Sequence, residues 1–245
     1  MKILDYILNK LEDEKLHMGL IDPDEQEPID AGYIASVLDE VGSDAVMVGG
    51  STGVNQEKLE ATVSEIKSSV SIPVIQFPTS ASAISKNVDA IYFMSMLNSR
   101  DRKKIIGEQV KGAPFIKMSG IEPISMAYLI VEPGMTVGKV GDADLIPKDD
   151  PDVAVSYSLA AQYLGMKLLY LEAGSGAPEP VPTDMIKKVK ENVGMPMLVG
   201  GGIRTPEQAY DIVEAGADII VTGTVIEESH NIQSKLEGLI SKIKR

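Results

Sequence analysis

Lys167-Leu168-Leu169-Tyr170-Leu171-Glu172 runs into Ala173-Gly174-Ser175-Gly176, Pro196-Met197-Leu198-Val199 into Gly200-Gly201-Gly202, and Asp218-Ile219-Ile220-Val221 into Thr222-Gly223-Thr224. Each apolar run has the length and branching of a strand buried on both faces, as strands of parallel sheets read. Each is followed by small residues that leave the backbone N–H groups approachable. Where such loops converge with the positive ends of following helices, an oxyanion is held without a basic side chain. Glu172 stands on the rim of the same loops. The stretch therefore pairs an anion cradle with an acid.

The same unit recurs upstream. Gly42-Ser43-Asp44 leads through Ala45-Val46-Met47-Val48 to Gly49-Gly50-Ser51, much as Gly216-Ala217-Asp218 leads to the last strand and its Gly-Thr exit. This echo marks repeated βα units within one fold. Strand patterns fall at about 17–21, 45–49, 73–77, 89–94, 127–131, 167–172, 196–200 and 218–222. Helical spacing fills residues 29–41, 56–69, 100–111, 151–164, 183–192, 206–215 and 228–242, with Thr205-Pro206 in the order of a helix start. Residues 80–86 are too short and polar for a full helix, and 113–147 alternates poorly, with Glu132-Pro133-Gly134 reading as a shaped loop. Ile3, Leu4, Ile7, Leu8 and Leu11 predict a leading amphipathic helix that closes the barrel's bottom. The fold class is α/β: a (β/α)8, TIM-barrel-like single domain over 1–245, with one helix irregular or missing and reacting groups at the strand C-termini. A dinucleotide fold is the weaker reading, since these glycines do not form its spaced fingerprint.

A net charge of −13 argues against non-specific nucleic-acid binding, which needs basic surface. It leaves anionic ligands open, because screening over about 8 Å makes local donors outrank distant surface acids. The absence of cysteine removes disulfides, thiolate metal sites and a cysteine nucleophile. No signal peptide is legible at the N-terminus and no segment reaches the roughly 20 apolar residues of a membrane span, so a cytoplasmic protein is expected.

Asp22, at the end of the first strand in Leu20-Ile21-Asp22-Pro23-Asp24, reads either as a turn residue or as a ligand. With the Ser51 hydroxyl it makes a hard-oxygen pair suited to magnesium, which completes its shell with waters and substrate phosphates. Tyr170 and Glu172 share one side of their strand. A tyrosine there is ordinarily core filling, but a carboxylate ending an apolar strand must meet water, a donor or a substrate hydroxyl to offset its desolvation. His17 reads as structural. Tyr92, Met94 and Met96 read equally as core or as the lining of an apolar groove.

Taken together, Leu20 to Asp24, Val48-Gly49-Gly50-Ser51, Val131-Glu132-Pro133-Gly134, Tyr170 to Gly176, Val199 to Arg204 and Thr222-Gly223-Thr224 resemble the geranylgeranylglyceryl phosphate synthase family. The resemblance spans nearly the whole chain in order, and its tyrosine-to-glycine and aspartate-proline segments are the specific parts. It implies a magnesium-dependent prenyltransferase of archaeal ether-lipid (phospholipid) synthesis, joining geranylgeranyl diphosphate to sn-glycerol 1-phosphate. By the same resemblance, Asp22 and Ser51 match the metal positions. Tyr170, Leu171, Glu172, Ala173, Gly174, Ser175, Gly176, Gly201, Gly202, Gly223 and Thr224 match the glycerol-phosphate site, with Glu172 and Tyr170 catalytic. A homodimer with transient membrane contact is implied as well. Lys139 departs from the tryptophan that related proteins often carry, which counts against larger assemblies. A sugar-phosphate isomerase or lyase using Glu172 as base is the competing enzyme reading, and a non-catalytic phosphate-binding module the third.

Overall fold

The chain is described from a computed structural model that covers residues 1–49, 55–223 and 232–244. Ser51, Thr224 and the expected start of the last helix at Glu228 lie outside the described residues. Eight short strands, β1 (Leu16–Ile21), β2 (Ala45–Val48), β3 (Val74–Gln76), β4 (Ala90–Met96), β5 (Glu122–Ile130), β6 (Leu168–Glu172), β7 (Met197–Gly200) and β8 (Ile219–Thr222), pair in parallel in chain order. The barrel closes through β1 and β8, from Leu16 opposite Ile219 to Gly19 opposite Thr222. Strand alternation sorts the apolar residues into layers. Met18, Tyr170, Leu198, Ile219 and Val221 fill the interior, while Leu171, Val199 and Ile220 pack under helices.

The helices follow from the sequence pattern except in one region. α1 (Ile3–Leu11), α2 (Pro28–Glu40), α3 (Gln56–Ser69), α4 (Glu108–Ser119), α5 (Met135–Val140), α6 (Pro151–Tyr163), α7 (Thr183–Asn192), α8 (Pro206–Glu214) and α9 (Ile232–Ile243) are the α-helices among the described residues. α1 closes the barrel's bottom as expected: Ile7 is fully buried in the interior cluster, with Ile3, Leu4 and Leu11 against it. Its first N–H groups are satisfied by Glu122 at the start of β5, from Ile3 N at 2.6 Å and Leu4 N at 3.2 Å.

Residues 100–147 depart from expectation. β5 begins at Glu122 rather than 127, because Pro123 sits near the strand's start, where a missing N–H is tolerated. The expected helix at 100–111 is instead a π-helical turn, Lys103–Gly107, running into α4, which continues through Pro114 to a left-handed Gly120. Carbonyls of this wider turn are taken by side chains: Ser95 Oγ donates to Ile105 O at 2.6 Å, and Gln109 Nε2 donates to Lys104 O at 3.4 Å as well as to Met94 O of β4. The expected loop after β5 holds the short α5.

The allowance for a missing helix is borne out between β3 and β4, where residues 77–89 form none. Side chains fasten that segment instead. Gln76 donates to Ala83 O and accepts from Ser85 N, Gln56 brackets Ile84, and Glu108 Oε2 accepts from Ala81 N at 2.9 Å. The helical shell is therefore open beside β4.

Candidate active site

The C-terminal ends of the strands carry two joined spaces. The smaller, of about 380 Å³ with its open mouth included, lies among Tyr170, Glu172, Ser175, Gly201, Arg204 and Gly223. Glu172 forms its wall as the last residue of β6 and is only 6% exposed. Its Oε1 accepts from Gly174 N at 2.7 Å, and the Tyr170 hydroxyl on the same strand face bonds the carboxylate. Burial pushes the Glu172 carboxyl above its ordinary value, partly opposed by those two hydrogen bonds. Tyr170 is held well above the ordinary phenol value by burial and then by the Glu172 charge, so it stays a neutral donor.

Glycine is required beside this acid. Gly201 has φ +82°, and a Cβ there would collide with Glu172 Oε1 and the Gly174 backbone. The two loops are tied together by Arg204, whose Nη1 donates to Ala177 O at 2.5 Å and Nη2 to Gly176 O at 3.2 Å. Leu171 and Ala173 sit in the core under the helices rather than at the cavity wall, as their place in the strand alternation dictates.

The larger space is an apolar groove of about 1160 Å³, open mouth included. It runs over Phe77, Tyr92 and Tyr128 and through the gap in the shell, between Ile84 on one side and Gly112 and Ile116 of α4 on the other. Gly112 admits it, since a Cβ there would press on Ile84. Phe77, Tyr128 and Tyr170 form an aromatic floor with ring centroids 5.1–5.8 Å apart. Tyr92, Met94 and Met96 line the groove too, so both readings of them hold at once. Asp22 is at its polar head, half-buried just past β1. Leu20, Glu172, Ser175 and Gly223 line both spaces.

Among the described residues no three carboxylate, imidazole or thiol side chains converge on a metal-sized site. A magnesium ion can be held by as little as one protein carboxylate when it draws its remaining oxygens from water and a diphosphate. Asp22 fits that role; its Oδ1 also accepts from Asp24 N at 2.9 Å. His17 is structural: it is fully buried between Ser43 Oγ and Thr222 Oγ1, each at 2.9 Å, and burial pushes its pKa down to about 4. Phe77, Tyr128, Gly112 and Arg204 escape the sequence reading. Inward aromatics look like core, Gly112 looks like a helix fault, and only the position of Arg204 just beyond the glycine turn signals its role.

A closed parallel barrel whose strand ends join a small glycine-walled pocket, a buried acid and a long apolar groove is the architecture of a TIM-barrel enzyme with room for an elongated apolar ligand. The sequence profile described as the PcrB family matches residues 9–243, and the chain belongs to that family. Geranylgeranylglyceryl phosphate synthase of Thermococcus kodakarensis is 58% identical over 238 residues, 97% of this chain and 94% of that protein. The Thermoplasma volcanium protein of the same name is 52% identical, covering 100% of this chain and 97% of that one. Among solved structures, the synthase of Thermoplasma acidophilum in complex with its substrate sn-glycerol-1-phosphate superposes with TM-score 0.97 at 46% identity, covering 100% and 99% of the two chains. Thiamine phosphate pyrophosphorylase of Pyrococcus furiosus, at TM-score 0.60 and 14% identity, shares the fold.

Proposed function

We propose that this protein transfers the geranylgeranyl group of geranylgeranyl diphosphate to the 3-hydroxyl of sn-glycerol 1-phosphate. The observation that carries the reading is the meeting of the anion pocket and the apolar groove at Glu172. The phosphate of the acceptor belongs in the cradle of Ser175, Gly201, Gly202 and Gly223, where backbone N–H groups do the holding. Its free hydroxyl then lies beside Glu172, and the allylic carbon of the donor arrives along the groove. The acceptor oxygen bonds to that carbon, the carbon–oxygen bond to the diphosphate breaks, and Glu172 accepts the hydroxyl proton. Burial suits Glu172 to this work by raising its basicity.

Magnesium belongs to the same reading, with Asp22 as a residue that would hold it. It would supply charge stabilisation to the departing diphosphate. The apolar groove favours this reaction over a sugar-phosphate isomerase or lyase, which would leave it empty. A homodimer completes the proposal.

Incubating the protein with labelled sn-glycerol 1-phosphate, prenyl diphosphates of several lengths and magnesium tests it. Label should pass into an organic-soluble product, most efficiently with the twenty-carbon donor. No transfer with any chain length or divalent metal would overturn the reading.

A further inference from the structure

The outward face of α4 has no role in the chemistry above. Its inner face, with Gly112 and Ile116, walls the groove, yet apolar residues also point away from the barrel: Val110 is 65% exposed, Met118 79%, and Ile106 in the π-helical turn 49%. A helix that is apolar on both sides has a second surface to cover. Lys103, Lys111 and Lys117 are exposed on the same element, so residues 102–118 hold five basic side chains against one acid, Glu108. Glu108 is turned aside, accepting from Ala81 N and pairing with Lys111 at 2.8 Å. On a chain of net charge −13 this is a local reversal of sign.

We propose that this face docks the protein on an anionic lipid surface. Basic side chains flanking an exposed apolar stripe are what an interfacial helix presents to acidic headgroups. A second copy of the chain is the poorer occupant, because a two-fold contact would set the same lysines against one another. The placement also has a use. The groove lies directly behind the docked helix, so an apolar chain reaches it from the bilayer with little travel through water. This inference rests on the prenyl-transfer reading only for that use; the docking itself rests on the face.

Flotation with vesicles tests it. The wild-type protein should rise with phosphatidylcholine vesicles containing phosphatidylglycerol, stay behind with pure phosphatidylcholine, and be released at about 0.5 M salt, where screening shortens to a few ångströms. Lys103→Glu/Lys111→Glu/Lys117→Glu should weaken partitioning about a hundredfold, given the contribution of each basic residue near an anionic surface. Val110→Ser/Met118→Ser should weaken it while charge is unchanged. All variants should keep wild-type turnover of a short, water-soluble prenyl diphosphate, which separates a failure of docking from a failure of the proposed reaction. Wild-type protein that ignores anionic vesicles at low salt, or a charge-reversed variant that still floats, would overturn the proposal. So would a serine variant whose only change is a smaller mass in light scattering, since the face would then belong to another copy.

Discussion

Glu172 is held where a carboxylate is costly, and two consequences separate its catalytic work from its effect on stability. Its folded pKa is raised, so ionisation favours the unfolded chain; the stability cost is absent well below the unfolded value of 4.5, grows as pH rises through it, and is complete above the folded value. Glu172→Gln should therefore resist denaturant better than the wild type at pH 7.5, with the gain vanishing in acid. Its kcat should fall by about 10²–10⁴. The wild-type pH–rate profile should show an acid limb above pH 4.5, and Tyr170→Phe should move that limb upward by removing a hydrogen bond that favours the ionised acid. An unmoved limb would remove Glu172 as the base. His17 carries the opposite linkage. Its folded pKa is depressed from 6.5 to about 4, so its contribution is present above 6.5 and lost as pH falls toward 4, by roughly 3 kcal/mol. Unfolding curves across that window should flatten in His17→Gln. Glu172 was legible because an acid ending an apolar strand has no bland explanation. Phe77 and Tyr128 were not, because an inward aromatic serves core and groove in the same words.

At the scale of elements, the glycine-serine-aspartate and glycine-alanine-aspartate echo acquires a cause. Asp44, Asp89 and Asp218 each precede a strand, and each accepts the backbone N–H of the neighbouring strand, from His17, Val74 and Met197 at 2.8–2.9 Å. Each also takes lysines: Lys10 and Lys244 on Asp44, Lys67 on Asp89, Lys15 and Lys190 on Asp218. These bonds lock the register at the bottom of the barrel, opposite the site. Asp44 is fully buried, so Asp44→Asn should destabilise by about 3–5 kcal/mol in chemical denaturation with kcat unchanged. Gly201→Ala is the counterpart at the top: it should raise KM for the glycerol phosphate at least about tenfold by displacing Glu172 and the β6 loop. The repeat was visible in the sequence, but Lys244 stands too far along the chain for its pairing with Asp44 to be read. Local signals misled between Arg100 and Glu122, where the expected helix stops at 111 but the chain stays helical through Gly112 and Pro114 to Ser119.

For the whole molecule, the barrel was legible because eight apolar runs with small-residue exits leave few alternatives. Its groove was legible only in part: the short polar stretch at 80–86 and the two readings of Tyr92, Met94 and Met96 hinted at it, but its path between Ile84 and α4 depends on contacts distant in sequence. Lys139 is exposed on α5, and light scattering at low protein concentration should return a dimer; a stable hexamer would show that the lysine does not discourage larger rings. The segment at 77–89 reaches further. A helix in that place would tie its length and packing to both flanking strands, so that any revision would disturb the barrel. A stretch stitched down by a few glutamines and glutamates has no such obligations. It can be recut residue by residue while the eight strands keep their pairing, which makes the measure of ligand this protein accepts an editable property of one wall.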